Sequence, residues 1–237
     1  MPIPARRRPV RTTPTIRTLC LALATAVSAA CGSARRDAGG APTPKPPPNA
    51  AELTALAKAR ADSARMPSTE ADARFMTGMI SHHAQAIVMA GWAPSHGASP
   101  SIQTLCARII NAQRDEIATM QRWLGDRGLP VPEPTPGPMK MKMNGVEHEM
   151  LMPGMLTEDQ MRQLDQARGP EFDRLFLTFM IQHHKGAVSM VKDLFGSYGA
   201  AQDETVFKFA NDVSVDQSTE IARMEKMLAA LSPSSPS

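Results

Sequence analysis

An internal disulfide, an aromatic-rich core and a permanent membrane span are all out of reach for this chain. It has three cysteines, one tyrosine, two tryptophans and seven phenylalanines in 237 residues. With so few rings, the core must be built from Leu, Ile, Val, Ala and the 17 methionines. No apolar stretch approaches the ~20 residues that a membrane-crossing helix needs. No Ser/His/Asp motif, phosphate loop or zinc-type cysteine pair is written in it, so the sequence offers no signature of an enzyme. An excess of positive charge is also missing where it would count. The formal net charge is +3, but Arg6, Arg7, Arg8, Arg11 and Arg17 fall in a segment expected to be removed, and they are five of the 26 basic residues. Without them, 21 bases face 23 acids, a net of about −2. That balance gives no electrostatic case for nucleic acid.

Those arginines open an export signal. A short apolar run, Leu19 to Val27, follows them, and Ser28-Ala29-Ala30 precedes Cys31. The order resembles a lipobox, with Ser28 where that pattern usually has Leu. Residues 1–31 are therefore expected to be a signal peptide whose removal leaves Cys31 lipidated and the protein held on a membrane in the cell envelope or periplasm. Plain secretion after Ala30 is the alternative. Cys20 then leaves with the signal and Cys31 is acylated, so only Cys106 remains and no internal disulfide can form. Residues 32–50, with five prolines from Pro42 to Pro48 and no apolar periodicity, read as a disordered spacer.

The chain then writes one sequence twice. Phe75, Met79, Ile80, His82, His83, Ala86 and Met89 recur as Phe176, Met180, Ile181, His183, His184, Ala187 and Met190, each 101 residues on. Gln113, Glu116, Ile117, Met120 and Leu124 recur as Gln217, Glu220, Ile221, Met224 and Leu228, now 104 apart. Each half is a pair of amphipathic helices. The expected fold is all-α: a ferritin-like four-helix bundle over residues 51–231, made of two duplicated αα-hairpins at 68–128 and 157–231. A long Pro/Met-rich crossover, 129–156, joins them. Residues 232–237 read as a disordered tail, and residues 51–65 as a further helix with Leu53 and Leu56 on its apolar side.

Four of the six histidines sit in the two doublets. A helix advances about 100° per residue. With Phe176 at zero, His183 falls near −20° and His184 near 80°, one on each flank of a Phe176, Met180 and Ala187 midline. The first doublet has the same arrangement. Both histidines of each pair thus belong to the buried half. Imidazole and thioether together suit copper, so His82, His83, Met79, Met89, His183, His184, Met180 and Met190 are candidate copper ligands. The competing reading is that each histidine only hydrogen-bonds to a facing helix, with Glu116, Glu220, Gln113 and Gln217 as partners or as further ligands.

The crossover carries Met139, Met141, Met143, Met150, Met152 and Met155, with His148 among them. Methionine at helical spacing is usually core filler. Here it alternates with lysine beside prolines, a pattern that resembles Cu(I)-binding Met motifs. Cys106 lies on an apolar stripe and reads as a buried structural thiol.

The two stretches F-M-T-G-M-I-S-H-H-A-Q-A-I-V-M-A and F-L-T-F-M-I-Q-H-H-K-G-A-V-S-M, joined by M-P-G-M-L-T, resemble the domain of unknown function family 305 over about residues 66–231. The resemblance implies a ferritin-like helical fold, an exported bacterial protein and, from the CopM-type members that bind copper in the periplasm, copper handling. Carried over by position, it points to the four doublet histidines with Met79, Met89, Met180 and Met190. Three functions follow as expectations. One is copper sequestration by a lipid-anchored envelope protein. Another is a metal-free structural or partner-binding bundle. The last is a di-metal carboxylate oxidase, for which Glu116 and Glu220 supply too few carboxylates.

Overall fold

The computed structural model describes the backbone of residues 49–63, 67–143 and 146–231, and their side chains apart from Ser63 and 140–148. The signal segment, Cys31, the spacer up to residue 48 and the tail lie outside the described residues. Six helices and one two-stranded hairpin follow in chain order. They are α1 (Ala50–Ser63), α2 (Glu70–Gly91), α3 (Pro100–Asp126), β1 (Met139–Met143), β2 (Val146–Met150), α4 (Glu158–Gln166), α5 (Gly169–Gly196) and α6 (Glu204–Leu231). No described helix is long and apolar enough to cross a membrane.

Local chemistry sets the ends. Thr69 caps α2 by accepting from the Asp72 amide while Asp72 accepts from the Thr69 amide, a reciprocal capping box. Thr157 and Gln160 make the same box at α4. Pro100 and Pro170 open α3 and α5, where a missing N–H costs nothing. Helices α2 and α3 form one antiparallel hairpin, α5 and α6 the other, and α2 packs on α5 to join them. The result is an all-α bundle.

One expectation needs correcting. Helix α1 is present but does not bury Leu53 or Leu56, which stay 51% and 57% exposed. An Arg60–Asp126 ion pair of 2.6 Å ties it to the bundle. The crossover carries a hairpin: β1 and β2 pair antiparallel, with Met139 opposite Met150. The sequence carried that signal. M-K-M-K-M and V-E-H-E-M alternate with period two around Asn144-Gly145, the dipeptide that hairpin turns favour.

The turn between α2 and α3 also holds a constellation that the motif reading had excluded. Ser95 Oγ lies 2.9 Å from His96 Nδ1, and His96 Nε2 lies 3.0 Å from Asp165 Oδ1. The Ser95 hydroxyl also donates to the Trp92 carbonyl at 3.1 Å, and His96 Nε2 is shared with the Asp165 carbonyl at 2.9 Å. His96 packs against Trp92 and Phe172, and its own carbonyl accepts from the Gly169 amide. These bonds staple the first hairpin to the start of α5.

Candidate metal centre

The apolar core comes in two halves. One gathers Met89, Ile102, Leu105, Ile109, Phe172, Phe176, Met180 and Met224. The other gathers Phe75, Met76, Met79, Ile117, Met120, Met190, Val206 and Val213. On α2, α3, α5 and α6 alike, one cross-section lies between them. It contains His82, His83, His183, His184, Gln113, Glu116, Gln217 and Glu220. All four doublet histidines are fully buried.

The two flanks of each doublet face different neighbours, as the angular placement requires. His82 and His183 meet across the α2–α5 contact with ring centroids 3.7 Å apart and planes inclined by 39°. His83 and His184 turn the other way, towards α3 and α6. His184 Nε2 hydrogen-bonds to Glu220 Oε2 at 2.7 Å. His83 Nε2 stands 2.6 Å from Glu116 Oε2, but off the hydrogen-bond axis. Glu116 and Glu220 are about one-fifth exposed and reach the surface beside Asp216. Burial and the charges of Glu116, Asp212 and Glu220 push the Asp216 carboxyl up from its usual range. Gln113 and Gln217 are not the expected partners. Both are buried, Gln113 with neither amide atom bonded and Gln217 with its oxygen free.

The crossover breaks the two-fold likeness. His82 Nε2 donates to the Pro153 carbonyl at 3.0 Å, and the same carbonyl presses on Gly186 of α5. A Cβ at Gly186 would lie 1.9 Å from that oxygen. In the first repeat the matching position is Gln85. Its side chain pins the crossover from the other side, donating to the Leu156 carbonyl at 3.0 Å and accepting from the Leu156 amide at 2.7 Å. Gln85, Gly186, Pro153 and Gly154 are therefore part of the site, though no sequence argument had named them. The signal was the break in the repeat, Gln in one copy and Gly in the other.

His183 has no equivalent carbonyl. Neither of its ring nitrogens makes a hydrogen bond of regular geometry, and the His82 backbone gives only a weak contact. His82, His83 and His184 each leave Nδ1 unpartnered as well. Burial is the main reason that His82 is pushed down to about 3, helped by the neighbouring His83. Burial and then His82 drive His183 well below its ordinary value. Both rings are neutral and so carry a lone pair on one nitrogen each.

The thioethers are divided by the layer. Met79 and Met190 lie in one core half, Met89 and Met180 in the other. Met155 is buried in the crossover. Met139, Met150 and Met152 line a groove with Met190. The side chains of Met141, Met143 and His148 lie outside the described residues. Among the described residues, no three His, Cys, Asp or Glu side chains converge at metal-ligand spacing. Cys106 is buried, its thiol pushed up to about 12 by burial and then by Asp173, which fits an inert structural residue.

A duplicated, antiparallel helical bundle with a histidine layer through its middle defines the class. Within it, the chain belongs to the family called Domain of unknown function (DUF305), which matches residues 72–228. A family protein from Streptomyces coelicolor, described as secreted, is 28% identical with a TM-score of 0.57; the match covers 68% of this chain and 93% of that one. A fragment from Deinococcus radiodurans gives the same identity and TM-score over 70% and 99%. CopM, solved with Cu(I) bound, is 28% identical with a TM-score of 0.51 over 67% and 96%. Its Cu(II)-bound form matches at 27% and 0.52. An uncharacterized protein of Acanthamoeba polyphaga mimivirus is 38% identical over 58 residues, and this chain spans 38% of that relative's length.

Proposed function

We propose that this is an exported, lipid-anchored copper-binding protein that sequesters the metal at the histidine layer. The observation that carries the reading is the set of six ring nitrogens without a hydrogen-bond partner buried in one cross-section: His82 Nδ1, both nitrogens of His83, both nitrogens of His183, and His184 Nδ1. A buried polar atom without a partner costs about 1–3 kcal/mol, and here the duplicated sequence repeats the feature. Neutral imidazole is the form that ligates metal, and burial holds His82 and His183 neutral. The donor set fits copper best. Two imidazoles with buried thioethers nearby suit Cu(I), which binds soft ligands. Glu116 and Glu220 hold and orient the outer histidines as carboxylates do around metal-bound imidazole. When bound, copper supplies soft Lewis-acid and one-electron chemistry; the chain's part is to hold it away from solvent. The copper-bound forms of CopM support the reading. Anchorage through Cys31 would keep the site at the membrane surface.

One observation favours a metal-free bundle. His82, His83 and His184 already have neighbours in Pro153, Glu116 and Glu220. His183 has none of that quality and separates the two readings. The test is titration of the full chain with Cu(II), and with Cu(I) under reducing conditions against a chromophoric chelator. Binding tighter than micromolar is expected, and its loss in His82→Leu/His183→Leu and His83→Leu/His184→Leu. No binding at that level, or binding unchanged in both double variants, would falsify the proposal.

A further inference from the structure

The chain has few rings, and most are spent inside. Of the ten Phe, Trp and Tyr side chains, six are buried and Trp92 is half-buried. The three that remain gather at the turn between α5 and α6. Phe195 is 42% exposed, Phe207 is 53% exposed and Tyr198 is fully exposed. Phe195 and Phe207 meet edge to face with ring centroids 5.8 Å apart. Single exposed apolar residues are ordinary, but a cluster of rings left in water marks a contact surface. The duplication offers a comparison. Phe195 and Phe207 correspond to Pro94 and Gln103 in the first repeat, so the hairpin does not require rings there. The turn is also braced. Asp72 Oδ1 accepts from the Ala201 amide at 2.7 Å, and Ala201 is held at a φ of 56°, a conformation that alanine rarely adopts. On the other side Asp203 accepts from the Val206 amide at the start of α6, and from Trp123 and Arg127 at the end of α3. The rings therefore stand on a fixed base.

We propose that this turn docks the bundle on a lipid bilayer, with Phe195, Tyr198 and Phe207 placed at the headgroup level. Aromatic side chains favour that depth, Tyr because its body is apolar and its hydroxyl wet. Place in the fold selects a bilayer over a protein partner. The two hairpin turns lie at opposite ends of the bundle. The α2–α3 turn bonds to the start of α5, where Gly169 donates to the His96 carbonyl. The α5–α6 turn packs by the start of α2, where a Cβ on Gly199 would lie 3.8 Å from Thr69 Cγ2. The ring-bearing end is thus the one at which the chain enters, through α1 and its Arg60–Asp126 ion pair. Seventeen residues separate Cys31 from Asn49, a span of roughly 50 Å at the ~3.1 Å per residue of a Pro-rich chain. An anchor at Cys31 keeps this end within reach of the membrane, and the rings decide that it is this end that touches. Only that step rests on the anchoring proposed above; the exposed rings stand without it. Charge around them is balanced, with exposed Lys192 and Lys208 against exposed Asp193 and Glu204. The attraction is therefore apolar and does not call for anionic lipid.

The test uses the chain from residue 31 onwards with Cys31→Ser, so that no signal segment or acyl group takes part; every residue of both core halves is retained. Flotation with zwitterionic phosphatidylcholine vesicles at millimolar lipid should carry the protein with them, with little change between low and high salt. Phe195→Ser/Tyr198→Ser/Phe207→Ser should weaken that partitioning by about tenfold or more and leave the helical circular dichroism unchanged. Leu53→Ser/Leu56→Ser, on the exposed face of α1, should leave partitioning as it is. Tyr198→Trp gives a second readout. Its added fluorescence should be quenched by lipid brominated in the upper acyl chain, against a background from Trp92 and Trp123 measured in the unsubstituted protein. Metal and acyl group are both absent, so the outcome is independent of whether the histidine layer takes copper or Cys31 a lipid. No binding, binding to anionic vesicles alone, equal binding by the triple variant, or an unquenched Tyr198→Trp overturns the proposal. So does a concentration-dependent dimer that the triple variant abolishes in the absence of vesicle binding, which would assign the rings to a second copy of the chain.

Discussion

Gly186→Ala is the most informative single change in the bundle. Replacing glycine by alanine inside a helix ordinarily stabilises by about 1 kcal/mol. Here the new Cβ would meet Pro153 O at 1.9 Å, Pro153 C at 2.4 Å and Gly154 Cα at 2.6 Å. All three are backbone atoms, and an ordinary contact needs more than 3 Å, so the crossover must retreat by over ~1 Å. Two bonds go with it: His82 Nε2 to Pro153 O at 3.0 Å and Gln182 Nε2 to Gly154 O at 3.3 Å. Losing the second costs about 1 kcal/mol, and orphaning buried His82 costs about 1–3 kcal/mol. Set against the propensity gain, the net destabilisation is about 1–3 kcal/mol, or a melting temperature lower by about 3–10 °C. Gly91→Ala is the control, because nothing lies within 4 Å of its Cβ position; it should melt at or above the wild type. Calorimetry of the metal-free protein reads both. Hydrogen exchange at the Leu156 amide, bonded to Gln85 Oε1, should lose protection in Gly186→Ala alone. If Gly186→Ala matches Gly91→Ala in melting temperature and leaves that amide protected, the crossover does not rest on α5 as argued.

Three further outcomes can be checked on metal-free protein. His183→Leu removes two nitrogens without regular partners, so it should raise stability by about 1–3 kcal/mol in urea denaturation; a loss of that size would mean that the ring is satisfied. Stability should decline as pH falls below about 6.5 and continue to do so towards pH 3. The folded state refuses protons on His82 and His183 that the unfolded chain accepts, and each contributes about 1.4 kcal/mol per pH unit inside that window. Urea midpoints at pH 7.5 and 5 measure it, and His82→Leu/His183→Leu should flatten the slope. Asp203→Ala should cost about 3–5 kcal/mol, because buried Asp203 accepts from Arg127, from Trp123 Nε1 at 3.1 Å and from the Val206 amide at 3.0 Å; a melting temperature within a few degrees of wild type would contradict that.

The helices and their buried faces were legible because they follow from short-range rules. Three-to-four spacing, a capping box and N1 prolines mark helix ends within a residue or two of where they fall. The angular rule placed His183 and His184 on opposite flanks, and they do face different neighbours. What it could not supply was the identity of those neighbours, because they sit on other elements. Glu116 and Glu220 are found opposite the outer histidines, while Gln113 and Gln217, equally well placed by spacing, bond to neither. Leu53 and Leu56 show the opposite failure: helical spacing was there, but no surface faces them. The hairpin is written in the alternation of its strands and in its Asn-Gly, signals that the surrounding prolines and methionines mask.

The deeper limit concerns the duplication. It makes His82 and His183 equivalent in sequence, and an argument from the repeat treats them alike. The crossover exists only once, so it must break that equivalence wherever it touches both helices. It does so at residues that differ between the copies: Gln85 against Gly186 and Gly78 against Phe179. His82 thereby gains a carbonyl for its Nε2, and His183 keeps both nitrogens bare. Conserving stability alone would not preserve that outcome, since a leucine in place of His183 would satisfy the same volume without unpaired polar atoms. The repeat builds the layer, and the places where it fails decide which nitrogens stay open to a ligand.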